Sequence, residues 1–322
     1  MKTSQRGIAL LIVLWVMAVL MVTVFSFSVM TRAETHSTLA FKEGIEKKFI
    51  AEAGIERGIM EIIFRNINQN QTMTLVGKEP WKLDGTAHTV DMGGISCVVR
   101  VIDESGKISL NSMTDASSII LKNLLINHGV SSENADIIID SILDWKDADD
   151  MHRLHGVESD YYMSLSNPYR AGNDAFETLE MLILVKGVTP EILYGTDKKK
   201  GIIHFLTLYG TVSQINVNAA PKEILAALPG MTADMADRII ELRASSEIRV
   251  IEDIKDIIGS SYTQTAPYVS FSSGGTLGAY TVEATGYKNT PKNGYSILAT
   301  VTFNNIQQYR YVYYKCPVDI VK

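Results

Sequence analysis

The sequence predicts an α+β fold: a long N-terminal helix packed on an antiparallel sheet, with a large all-α domain inserted into that sheet. Three observations lead there. From Ile8 through Thr31 run 24 residues without a charge, and the first proline of the chain is Pro80. Two blocks of short β-branched segments lie at 86–111 and 279–315. Between them, residues 112–265 read as helices joined by glycine turns and loops.

A helix rises about 1.5 Å per residue, so the uncharged run reaches roughly 36 Å, enough to cross a bilayer core. A cleaved secretory signal has a shorter apolar region of about 7–15 residues, followed by small residues at the cut. Here the run is longer and ends in Met30-Thr31-Arg32. Lys2 and Arg6 precede it, which predicts a cytoplasmic N-terminus and an external remainder. The helical pattern continues over 32–67. Phe41, Ile45 and Phe49 recur every four positions, and Ala53, Met60, Ile63 and Ile67 continue roughly the same face. Glu34, Lys42, Glu43, Glu46, Lys47 and Lys48 supply the polar side.

After a loop at 68–80, "TAHTVDM" (86–92), "ISCVVRVID" (95–103) and "KISLN" (107–111) read as the first part of the sheet, within 81–111. "AYTVEATGY" (279–287), "YSILATVTF" (295–303) and "QYRYVYYK" (308–315) read as its second part, within 266–322. Those spacings suit an antiparallel meander on the upper helix. Cys97 and Cys316, the two cysteines of the chain, fall in different blocks. A closed sheet makes them a candidate disulfide, and two cysteines exclude both a disulfide-stapled miniprotein and a Cys-rich metal site.

The inserted region 112–265 carries an internal repeat. "HGVSSENADIIIDSI" (128–142) lines up with "PGMTADMADRIIELR" (229–243), placing Gly129 on Gly230, Ser131 on Thr232 and Ala135 on Ala236. A shorter third copy is "KGVTPEIL" (186–193), and Asn111 of "KISLN" matches Asn218 of "QINVN". The physical reading is helix, glycine turn, hydroxyl cap, helix. This is helix-hairpin-helix-like, an architecture that in many proteins grips the DNA backbone. Here Ser131, Thr189 or Thr232 stands where phosphate-gripping turns carry a second glycine. Asp234, Asp237 and Glu241 surround Arg238 and Arg243, a poor field for phosphate. Structural packing is the favoured reading. The formal charge of −6 and a pI of about 5.6 also argue against a general nucleic-acid coat, so no nucleic acid partner is expected.

The densest polar chemistry is "DSILDWKDADDMHRLHGVESDYY" (140–162). Over 144–160 the local net charge is −4. Carboxylates this close repel one another, and a hard cation with several oxygen ligands relieves the repulsion. Counted as an EF-hand loop from Asp147, Asp149 falls at position 3 and Glu158 at position 12, but Met151 and His152 occupy positions 5 and 6. It is not an EF-hand. An irregular calcium loop and a solvated acidic loop both remain open, and zinc on His152 and His155 lacks an obvious complement of ligands. No nucleophile elbow, P-loop, H-E-x-x-H or dinucleotide fingerprint is present, and the expectation is a protein that is not an enzyme.

Arg6-Gly7-Ile8, the apolar run behind it and "AEAGIERG" (51–58) resemble the N-terminus of type IV pilins and pseudopilins. The resemblance implies that a prepilin peptidase removes residues 1–7 by cutting after Gly7, so that Ile8 becomes the first residue. Residues 8–31 would then be the transmembrane half of the helix and 32–67 its upper half. Most pilins carry Glu at the fifth mature position, where this chain has Ile12; the departure suggests a subunit that does not dock like the bulk ones.

"DWKDAD" and "GVESDYY", "SNPYRAGNDAFETLEMLILVKGVTPEILYG" and "INVNAAPKEILAALPG", with the missing glutamate, resemble the minor pseudopilin K family of type II secretion (general secretion pathway protein K). This resemblance covers essentially the whole chain. It implies a pilin-like fold and a single-pass protein of the bacterial inner membrane with its head in the periplasm. It also implies a place beside other minor pseudopilins in the tip complex of a periplasmic pseudopilus. That family binds calcium in the inserted domain, which makes Asp144, Asp147, Asp149 and Glu158 candidate ligands. The alternatives are a type IV minor pilin and a DNA-binding competence pseudopilin using the hairpins.

Overall fold

The computed structural model describes residues 5–68, 81–91, 93–210, 213–271, 278–305 and 307–318. Residues 1–4 of the expected leader lie outside them, as does most of the loop expected at 68–80.

Helix α1 runs unbroken over Gln5–Ile67. It is long and apolar enough to cross a membrane, with a mean hydropathy of 3.0 in its most apolar window, none of it buried. Above the apolar half, i,i+4 ion pairs support the exposed helix: Lys42–Glu46 at 3.8 Å, Lys48–Glu52 at 3.7 Å, and Arg57–Glu61.

Strands β1 (Asp84–Asp91), β2 (Ser96–Asp103), β9 (Ala279–Tyr287), β10 (Tyr295–Phe303) and β11 (Tyr309–Lys315) form one antiparallel sheet in the order β1-β2-β9-β10-β11. The inner face of the sheet alternates as a half-buried strand should. Cys97, Val99 and Val101 of β2, Val282 and Ala284 of β9, and Ile297, Ala299 and Val301 of β10 are fully buried. They close over α1 through Ala51, Ile55, Ile59 and Ile62. Each fully buried valine or isoleucine among them contributes about 1.5–3 kcal/mol.

The helix approaches the sheet on glycine. A Cβ on Gly54 would collide with the Cys97 thiol, and one on Gly58 would lie 2.6 Å from a methyl of Val282. The closest approach of the sheet to "AEAGIERG" is therefore made at its two glycines, with Ala51 and Ile55 buried beside them. This corrects the face read from periodicity: Phe41 and Phe49 are 71% and 62% exposed, and Met60 is also exposed. Both faces carry a helical repeat of apolar residues. Only the one holding the glycines admits a strand at close range.

The cysteine pairing is also corrected, since both thiols are free. Cys97 is on β2 against α1, whereas Cys316 follows β11, with β9 and β10 between the two strands. Strands lie about 4.8 Å apart, so roughly 14 Å separates the two lines, against the ~4 Å between Cβ atoms that a disulfide needs. Burial pushes the Cys97 thiol up to about 11.

The inserted domain leaves the sheet after Asp103 and returns at Ala279, residues on adjacent strands, with Asp103 paired to Tyr280. An insertion whose ends lie side by side leaves the parent sheet intact. "KISLN" does not join that sheet. Its strand β3 (Ile108–Ser109) belongs to the inserted domain, pairing in parallel with β6 (Leu206–Thr207) across some hundred residues. Helices α2 (Ser118–Asn127), α3 (Ser132–Lys146), α4 (Ser159–Met163) and α5 (Pro190–Tyr194) follow β3. A small hairpin joins β4 (Gly195–Thr196) to β5 (Lys199–Lys200). A second parallel pair joins β7 (Ile215–Asn216) to β8 (Val269–Ser270), enclosing α6 (Lys222–Leu225) and α7 (Ala233–Ser245). The domain has its own core, built from residues such as Leu121, Leu124, Ile138, Ile142, Ile224 and Ile239.

The repeat is physical. Gly129, Gly187 and Gly230 take φ of 88°, 84° and 79°, and the Ser131, Thr189 and Thr232 side chains accept from Asn134, Ile192 and Met235 N–H.

Candidate metal centre

Helix α3 delivers the acidic segment. Ser131 caps its start, and Ala135, Ile138, Ile139 and Ile142 seat it in the core. At its end the Lys146 ammonium donates to the carbonyls of Leu110 and Asn111, at 3.2 and 3.3 Å, and to that of Met113. The helix C-terminus is thereby pinned to the segment behind β3, and the chain turns outward at Asp147 in an extended conformation.

Asp144 is fully buried. Its carboxylate accepts from the Arg153 guanidinium at 2.8 Å and from Arg153 N–H at 3.0 and 3.2 Å. Burial pushes its carboxyl up, and the bonds from Arg153 pull the other way. The same guanidinium reaches Asp147 Oδ2 at 2.7 Å and Asp115 at 3.1 Å. Gly156 packs on the Asp144 carboxylate so closely that any Cβ would overlap an oxygen. Arg153 and Gly156 thus fold the loop back over the helix end.

The fold-back gathers three of the four candidate ligands. One carboxylate oxygen each from Asp147, Asp149 and Glu158 lies within 4.8 Å of the others. Asp144 stands outside this trio as the Arg153 anchor. Asp149 is exposed and accepts from Met151 N–H at 2.9 Å. Glu158 is buried to 2% exposure, and both its carboxylate oxygens lack a hydrogen-bond partner, as does the buried Asp147 Oδ1. Burial, and the carboxylates of Asp144, Asp147, Asp150 and Asp149, push the Glu158 carboxyl up to about 7.

Buried carboxylate oxygens without donors are costly unless something positive meets them. The donor set is all oxygen and rich in charge, which fits a hard divalent cation better than zinc. Neither histidine joins it. His155 Nδ1 faces Asp140 Oδ2 at 3.1 Å, and His152 Nδ1 lies 3.1 Å from the Arg153 carbonyl.

Asn173 was not legible as part of this site. Its backbone has φ of 45°, its Nδ2 reaches the Asp149 carbonyl and Asp150 Oδ1 at 3.4 Å, and its Oδ1 is buried without a partner. The tolerance of asparagine for left-handed backbone was the available signal, and it says nothing about which loop the side chain meets.

The hairpin turns offer phosphate little. Gly129 N–H donates to the Ile126 carbonyl at 2.8 Å and Val130 N–H to the Leu125 carbonyl at 3.0 Å, so these amides are already spent. Gly7 and Ile8, the expected cleavage pair, lie in the first turns of α1.

Two family models, both described as type II secretion system (T2SS), protein K, match residues 103–195 and 215–270. This chain belongs to the type II secretion system protein K family. Both matched segments lie in the inserted domain, and the first contains the acidic trio. The chain is 26% identical over 272 residues to type II secretion system protein K of Pseudomonas aeruginosa, covering 79% of this chain and 77% of that protein. It is 25% identical over 202 residues to a putative type II secretion system protein K of Escherichia coli K12, covering 60% of this chain and 61% of that protein. Among solved structures it is similar to a chain of the GspK-GspI-GspJ complex from enterotoxigenic Escherichia coli. That likeness has a TM-score of 0.57 at 16% identity, covering 89% of this chain and all of that one. The protein K fold is thus shared: long N-terminal helix, antiparallel sheet and helical insertion.

Proposed function

We propose that this chain is the minor pseudopilin K of a type II secretion system, seated at the tip of a periplasmic pseudopilus and supporting its assembly. The observation that carries the reading is where the insertion attaches. Along β9, Gly286 packs near Lys47 and Ala51 of the stem, Ala284 near Gly54 and Val282 near Gly58. The strand therefore begins near the top of α1, and the inserted domain joins the sheet there, with Glu247 paired to Arg65 at 2.6 Å. Thr31 to Arg65 spans about 50 Å of helix, so the insertion sits over the end of the stem farthest from the apolar half. A subunit stacked above would collide with it, whereas the end of a filament has room.

Lys2 and Arg6 hold the leader on the cytoplasmic side until a prepilin peptidase cuts after Gly7, and residues 8–31 then anchor the chain in the inner membrane with the head in the periplasm. Ile12 keeps a charge out of the bilayer. The work is mechanical rather than catalytic, and the fitting neighbours are the I- and J-type subunits of the same system, as in the solved complex. Asp147, Asp149 and Glu158 would hold a calcium ion, neutralising the loop that Arg153 folds over α3. The test is to purify the mature chain with its I- and J-type subunits and to measure its mass. A ternary complex with a chain beginning at Ile8 is expected; an intact Met1 start, or no complex, overturns the assignment.

A further inference from the structure

Strand β11 is the outer strand of the sheet, and among the described residues no strand pairs with its far edge. Its side toward the stem carries tyrosines. Tyr309 and Tyr311 hydroxyls donate to Glu56 on α1 at 3.2 and 2.7 Å. The rings of Tyr309, Tyr311 and Tyr314 follow one another edge to face, with centroids 5.7 and 5.9 Å apart. Simple alternation would bring Tyr313 to this side. The register slips between Thr300 and Val301 of β10, leaving Val312 unpaired, and Tyr314 takes the place beside Tyr311 instead.

Glu52 and Glu56 lie one helical turn apart, with Phe49 and Met60 one turn to either side. Those two apolar residues are 62% and 57% exposed. Lys48 lies 3.7 Å from Glu52. Among the described residues no lysine or arginine pairs with Glu56, whose partners are two neutral hydroxyls. A carboxylate rimmed by aromatic rings and large apolar side chains is the setting in which a cation gains both an ion pair and a ring contact.

We propose that this flank receives an arginine or lysine side chain from a neighbouring pilin-like subunit lying along α1. Glu56 is its ion partner, Tyr311 and Tyr314 are its aromatic walls, and Phe49 and Met60 form the rim. Charge selects this occupant, since an apolar or acidic segment would bury Glu56 unpaired. Distance excludes the membrane: Glu56 stands roughly 38 Å of helix beyond Thr31. The class of neighbour rests on the assembly proposed above, while the chemistry of the site stands on these residues.

The experiment uses the full-length mature chain, solubilised with the I- and J-type subunits of its own system. A photo-crosslinking residue replaces Met60 or Tyr314 in turn, with Tyr313, away from the Tyr309–Tyr311–Tyr314 row, as control. Crosslinks from Met60 and Tyr314, and not from Tyr313, to an I- or J-type peptide containing arginine or lysine are expected. Glu56→Lys should weaken the complex at least tenfold, about the effect of reversing one close interfacial pair. Glu56→Gln should weaken it less and flatten its dependence on salt. Wild-type affinity in Glu56→Lys, or crosslinks only to a second copy of this chain, would overturn the site while leaving the assembly intact. A wild-type chain that joins neither subunit overturns both.

Discussion

The two halves of the inserted domain share a scaffold and end it differently. In each, a short strand leads to an asparagine, a helix, a glycine turn, a hydroxyl cap and a longer helix. Asn111 holds the backbone of Phe176 through both ends of its amide, and Asn218 does the same with Ile248. Lys146 closes α3 on the carbonyls of Leu110, Asn111 and Met113; Arg243 closes α7 on those of Val217 and Ala220, at 2.8 and 2.6 Å. After α3, however, the chain forms a carboxylate loop with orphaned buried oxygens. After α7 it turns into Ser246–Asp253, where Asp253 accepts from Arg249 and Val250 N–H and so satisfies itself. The scaffold is common property, and the loop after the second helix carries the specialisation.

The largest expected effect separates the halves at their charges. Arg153→Ala leaves Asp144 buried without its cation, at a cost of about 3–5 kcal/mol. Among the described residues of the second half, no carboxylate is buried in this way. Urea denaturation of the purified chain checks it, and a loss under 1 kcal/mol would mean the loop does not depend on the clamp. Calcium comes next. At about a hundred times its dissociation constant, a bound ion adds roughly 2.7 kcal/mol, which a chelator removes. Glu158→Gln should abolish most of that response, whereas Asp253→Asn should leave it unchanged. A calcium response that survives Glu158→Gln would place the ion elsewhere. The caps should behave alike: Ser131→Ala and Thr232→Ala each cost about 1 kcal/mol, and a strongly unequal pair would show that the repeat is only geometric.

What the sequence disclosed follows from range. The uncharged run, the strand blocks, the glycine turns and their hydroxyl caps are local signals, and each appears where its pattern stands. The stem's buried face did not follow from periodicity, because Phe41–Phe49 and Ala51–Ile62 repeat equally well. Closeness of approach at Gly54 and Gly58 decided between them. "KISLN" was misplaced because its partner strand, Leu206–Thr207, lies far along the chain, and nothing local announces a parallel pairing. In the acidic segment, composition marked the region and the resemblance marked four carboxylates. Only the fold showed that Asp144 belongs to Arg153 and that Asn173 arrives from another loop.

The smallest effect bears on what the second loop is for. Arg65 of the stem meets Glu247 at 2.6 Å, and Lys82 donates to the Ala244 carbonyl at 2.6 Å. These contacts tie the end of α7 to the pilin-like part, where the first half has its acidic trio. The Arg65 and Glu247 side chains are 29% and 47% exposed, so solvent screens the pair. A double-mutant cycle of Arg65→Ala with Glu247→Ala should return only about 0.2–1 kcal/mol. A latch of that strength does not decide whether the domains fold, since each has its own core. It limits how freely one moves on the other. Its removal should therefore speed amide exchange at 244–253 while leaving α3 and the acidic loop unchanged. Equal acceleration in both loops would show that the two halves open as one unit, and that the specialisation of the second is no anchor.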